Sequence, residues 1–163
     1  MKKFLFTLLA LLTCICTANA FIDKYTINRE NLPEEARQML DEHFPKAKIS
    51  MIKVDRHLLK KTDYDVRLTN GTKIEFSNKG KWTSVDCGKK ELPEALVPKT
   101  IRNYISKNLS DAKISGIAKR NAGYDITLSD GNGLRFNLLG QYKGPLSDKP
   151  KIRKQSQWQS QLQ

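Results

Sequence analysis

Two histidines, one cysteine outside the N-terminal leader and a few carboxylate pairs are the side chains of this 163-residue chain best suited to chemistry. His43 and His57 are too few for an imidazole-built metal centre, and they have neither His-x-x-x-His spacing nor a neighbouring cysteine. Cys87 could be a nucleophile, because Lys89 and Lys90 beside it favour a thiolate, but an inert, partly covered thiol is the expectation. General acid–base work needs two carboxylates whose surroundings push their pKa values apart. Glu34/Glu35 and Asp63/Asp65 read instead as helix-start and strand-surface charges. Asp130 and Asn132 begin like a calcium loop, and Leu134 breaks the ligand pattern. The chain has no Gly-x-Ser-x-Gly elbow, Cys-x-x-Cys pair, dinucleotide fingerprint or phosphate loop. These absences argue against an enzyme and imply no cofactor and no metal site.

The elements that position these residues come in duplicate. At an offset of 65, Leu32-Pro33 falls on Val97-Pro98 and Ala47-Lys48-Ile49-Ser50 on Ala112-Lys113-Ile114-Ser115. At an offset of 60, Tyr64-Asp65-Val66 through Asn70-Gly71 falls on Tyr124-Asp125-Ile126 through Asp130-Gly131, then Phe76 on Phe136, Gly80 on Gly140 and Trp82 on Tyr142. A period of this size marks one supersecondary unit used twice, since about 50 residues bury too little apolar surface alone. Pro33, followed by Glu34 and Glu35, starts a helix and Pro45 ends it, with Ala36, Met39, Leu40 and Phe44 on one face. Ile101, Tyr104, Ile105 and Leu109 take those places in the second copy. Strands follow over Ile49 to Val54 and Ile114 to Ala118. Alternating runs then flank Asn70-Gly71 and Asp130-Gly131, the strongest short hairpin signal. Tyr64, Val66, Leu68, Ile74 and Phe76, with Tyr124, Ile126, Leu128, Leu134 and Phe136, are expected inside, leaving a polar outer face without an apolar cleft.

Residues 1–20 read as a secretory signal: Lys2-Lys3, an apolar run from Phe4 to Cys16, and Ala18-Asn19-Ala20 for cleavage after Ala20. About 13 apolar residues are too few to span a bilayer, for which roughly 20 are needed. The chain is therefore not expected to be an integral membrane protein. A lipidation box at Leu11-Leu12-Thr13-Cys14 is the poorer alternative, because Thr fits badly before the cysteine. The signal carries two of the 29 basic residues and none of the 17 acidic ones, so 27 against 17 leaves the mature chain at net +10. Cys14 and Cys16 leave with it, and Cys87 then has no intramolecular partner in an oxidising compartment. The expected location is periplasmic or secreted.

Leu32-Pro33, His43-Phe44-Pro45, Ala47-Lys48-Ile49, Tyr64-Asp65-Val66, Asn70-Gly71-Thr72-Lys73-Ile74-Glu75-Phe76 and Gly80-Lys81-Trp82 together resemble the PepSY-like, β-lactamase-inhibitor-like family of exported bacterial proteins. The second copy departs from this pattern, with Asn108 and Ser110 for the His and second Pro and Tyr142 for the Trp. The resemblance implies an α+β fold, a two-layer tandem repeat in which each unit is one helix followed by about four antiparallel strands. The expected organisation is an N-terminal arm at 21–31, repeats at 32–88 and 89–148, and a basic, Gln-rich tail at 149–163. Composition predicts disorder for that tail, although its alternation suits strand addition to a sheet edge.

The expected function is a non-catalytic, inhibitor-like module holding an unidentified protein partner in the envelope or outside the cell. Arg67, Lys73, Glu75 and Arg135 on the outer face, with His57, Leu58 and Leu59 in a longer loop, are the candidate contacts. The alternative is a basic protein that binds envelope polyanions, such as anionic lipid head groups or acidic glycans. Nucleic acid is not expected, because export removes it as a ligand and no aromatic stripe is present.

Overall fold

A computed structural model of the chain describes residues 24–55, 62–109 and 111–146. In order, the elements are β1 (Lys24–Thr26), a short 3-10 turn, α1 (Glu34–His43), β2 (Ile49–Asp55), β3 (Asp63–Leu68), β4 (Lys73–Phe76) and β5 (Trp82–Asp86). A second 3-10 turn, α2 (Lys99–Asn108), β6 (Ile114–Arg120), β7 (Gly123–Leu128), β8 (Gly133–Asn137) and β9 (Tyr142–Pro145) follow. The strands form one antiparallel sheet in the order β1 to β9.

This corrects the expected two-layer tandem repeat of one helix plus four strands. Most of the chain is a single nine-stranded sheet, with only two short helices. Four strands ending at β5 would leave a row of unpaired backbone amides and carbonyls, as would four beginning at β6. The two edges pair instead, Ser84 opposite Ala118, Val85 opposite Ile117 and Asp86 opposite Gly116. The N-terminal arm adds a strand that sequence periodicity does not reveal, Lys24 opposite Val54 and Thr26 opposite Ile52. Ten-residue helices are about 15 Å long and do not make a second layer over nine strands.

Two compact units divide the contacts, one holding the described residues up to 70 together with 74–82, the other 71–73 and 83 onward. In the first, Ala36, Met39, Leu40 and Phe44 of the α1 region are buried together with Ile52, Val66, Leu68, Ile74 and Phe76. Pro33 sits at the helix N-cap and His43 is its last residue, as its flanking prolines predict. In the second, Ile101 and Ile105 of α2 are buried with Ile117, Ile126, Leu128, Leu134 and Phe136. Leu109, expected in that core, follows the helix as its C-cap and is exposed. Tyr104 of α2 packs edge-on to Phe136 at 5.4 Å and stacks on Tyr142 at 5.0 Å.

Candidate contact surface

Alternation builds the outer face. In β3 and β4, Val66, Leu68, Ile74 and Phe76 are buried while Arg67, Lys73 and Glu75 between them are exposed. In β7 and β8, Ile126, Leu128, Leu134 and Phe136 are buried while Thr127 and Arg135 are exposed. The sequence-predicted contacts Arg67, Lys73, Glu75 and Arg135 thus lie on solvent-facing positions. His57, Leu58 and Leu59 lie outside the described residues.

The two units dress the same position differently. Asp125 lies opposite Arg135 in the ladder and accepts from Arg120 Nε at 2.8 Å and Arg135 Nε at 3.4 Å. A carboxylate between two guanidinium groups leaves a local excess of positive charge. Asp65 in the first unit lies opposite Lys53, whose Nζ is 3.2 Å from Asp55 Oδ2, and Asp55 lies opposite Asp63. Burial pushes the Asp65 carboxyl up from its ordinary value of 3.8, and the neighbouring Asp55 and Asp63 charges add to that against Lys53 and Arg67. In the second unit the outer positions therefore carry a basic cluster, and in the first a carboxyl pushed up from its ordinary value.

The remaining chemistry-bearing residues serve the fold. Asp130 Oδ1 and Oδ2 both accept from Asn132 and close the β7–β8 turn. Glu34 engages Arg37 and Gln38 on its own helix. Cys87 is buried, and burial raises its thiol above the ordinary 9.0 with Asp86 reinforcing, while the Thr72 hydrogen bond and Lys90 oppose. The lysines that suggest a reactive thiol are outweighed, because desolvation acts on the sulfur directly and their ammonium groups stand in solvent. Periodicity also misses an apolar tip: Leu138 and Leu139, 63% and 72% exposed, form the β8–β9 turn, where the β4–β5 turn has Asn78 and Lys79.

Among the described residues no helix is long and apolar enough to cross a membrane. No curated protein matches the chain. Solved structures do. A "putative periplasmic protein of unknown function" from Bacteroides vulgatus is 34% identical with a TM-score of 0.74, and the match covers 78% of this chain and 100% of that one. A "putative calcium-regulated periplasmic protein" from Bacteroides thetaiotaomicron is 32% identical with a TM-score of 0.71, over 77% of this chain and 97% of that one. A third, also from Bacteroides vulgatus and again described as periplasmic, is 32% identical with a TM-score of 0.70, over 80% and 99%. None of these descriptions indicates an enzyme. The family described as "putative beta-lactamase-inhibitor-like, PepSY-like" matches residues 62–144, just over half the chain, and the protein belongs to that PepSY-like family.

Proposed function

We propose that this protein is an exported, non-catalytic module that holds a protein partner on its outer sheet face, through Arg67, Lys73, Glu75 and Arg135, with the 57–59 loop as a further contact. One observation carries the reading: alternate residues of β3, β4, β7 and β8 are buried, and in each unit those between them are polar or charged and face solvent on strands stiffened by pairing. Such a surface suits recognition, because rim charges set partner choice and on-rate. Its relatives' periplasmic descriptions support export, with cleavage after Ala20 giving a mature chain that starts at Phe21.

The test is retention of envelope proteins on immobilised mature chain. The expected outcome is one discrete partner, retained by wild type and lost with Arg67→Glu or Arg135→Glu while the melting temperature is kept. Retention unaffected by both reversals would remove the sheet face from the proposal.

A further inference from the structure

Beside α2 lies a cavity of about 320 Å³ that none of Arg67, Lys73, Glu75 and Arg135 lines. Leu92, Val97, Ile105, Ala112 and Ile114 give it apolar walls, and Glu91, Glu94, Arg102 and Ser106 give it polar ones. Ligand sites combine these features, an apolar interior with a few convergent polar groups.

The first unit ties the same elements together with a different pair. The 3-10 turn, helix and following strand of the two units have the same bounds 65 residues apart, so Arg29 stands where Glu94 does and Asp41 where Ser106 does. Arg29 Nη2 reaches both the Asp41 carboxylate, at 2.5 Å, and the Arg37 carbonyl, at 2.7 Å. A long cationic side chain thus bridges the 3-10 turn and the helix. In the second unit Glu94 and Ser106 hold these two positions, and the tie between turn and helix runs through a different pair. Glu94 of the 3-10 turn pairs with Arg102 Nη1 of α2 at 2.7 Å, and Arg102 Nε, like Nε of its counterpart Arg37, is buried without an acceptor.

The charge of the walls selects the occupant. Two glutamates against one arginine make this wall net negative on a protein whose mature chain is net +10. The Glu91 partner, Lys113, is 4.0 Å away and both are exposed, so that pair is weak. A cation with an aliphatic group and a carbonyl or carboxylate oxygen matches all three wall types. We infer that this cavity binds an aliphatic residue bearing a free α-ammonium: the side chain on Leu92, Val97 and Ile105, the ammonium at Glu91 and Glu94, and the adjoining carbonyl oxygen at Arg102. Free amino acids and peptide N-termini both present this chemistry.

The experiment is a titration of the isotope-labelled mature chain, followed by the backbone amide resonances of Val97, Ser106 and Ala112, with leucine, leucyl-alanine and N-acetyl-leucyl-alanine as probes. Leucyl-alanine or leucine is expected to shift those resonances with a Kd of about 1 mM or tighter. The tighter of the two identifies the source, and acetylation, which removes the ammonium, weakens binding at least tenfold. Glu94→Arg with Ser106→Asp transplants the first unit's bridge and is expected to abolish the shifts at an unchanged melting temperature. No shift with any probe, equal binding of the acetylated peptide, or undiminished binding to a folded double variant would overturn the inference. Should the double variant not fold, the acetylated probe on wild type still decides.

Discussion

At Gly140 the backbone takes φ +76°, and a Cβ there would stand 2.0 Å from Thr100 Oγ1 and 2.9 Å from Thr100 Cβ. Both the left-handed conformation and the approach of α2 forbid a side chain. Gly131 has φ +92° but open space around it. Gly140→Ala is therefore expected to destabilise by about 3 kcal/mol or more and Gly131→Ala by about 1 kcal/mol, read from urea unfolding midpoints. Two titrations also belong to this scale. The Asp65 carboxyl has a folded pKa raised above 3.8, so it binds its proton more readily folded than unfolded, and stability falls as pH rises through that range. Asp65→Asn is expected to raise stability at pH 7 and to leave it unchanged well below pH 3.8, measured by urea unfolding at both pH values. By the same sign the Cys87 thiol adds stability below its unfolded pKa and loses it as pH rises past 9.0. Alkylation of Cys87 at pH 8 should accordingly be much slower in the folded than in the urea-unfolded chain.

The short helices are held by packing, since ten residues are marginal alone in water. Ile101 is fully buried in α2, whereas Leu109 at its end is 38% exposed. Ile101→Ala is expected to cost about 2–5 kcal/mol and Leu109→Ala less than about 1 kcal/mol by the same unfolding measurement. Equal losses would mean that the helix is held over its whole length and not by its inward face. Most of this packing is legible in the amino-acid pattern. Three- and four-residue spacing places Ala36, Met39, Leu40 and Phe44 inside, and all four are buried. Leu109, the C-cap of α2, is exposed although its counterpart Phe44, the C-cap of α1, is buried, a difference that spacing does not show. Tyr104 and Tyr142 are legible as apolar positions, but their stacking depends on how β9 is set beside β8 by a bulge between Arg135 and Phe136.

At the scale of the whole chain, charge and export are the testable properties. Secretion from the host should yield a mature protein whose N-terminus, read by mass spectrometry, is Phe21. Binding governed by the excess of basic residues alone, 29 against 17 acidic, would fall steeply with added salt, because exposed charges are screened over roughly 8 Å at physiological ionic strength. Partner binding through a specific face is expected to lose on-rate with salt while keeping its dependence on Arg67 and Arg135. A partner whose retention tracked ionic strength and ignored both arginines would favour the polyanion reading.

Local pattern was enough to determine the helices, the hairpin turns, the buried face of the strands and the family, because each depends on residues within one or two turns or one strand of each other. Whether β5 and β6 end two sheets or continue one was decided only by tertiary structure, since an edge strand and a central strand can have the same side chains and differ in what their backbone groups meet. The cavity beside α2 was hidden for a related reason. Glu94 and Ser106 are 12 residues apart, and only folding brings the 3-10 turn against the helix so that both line one cavity.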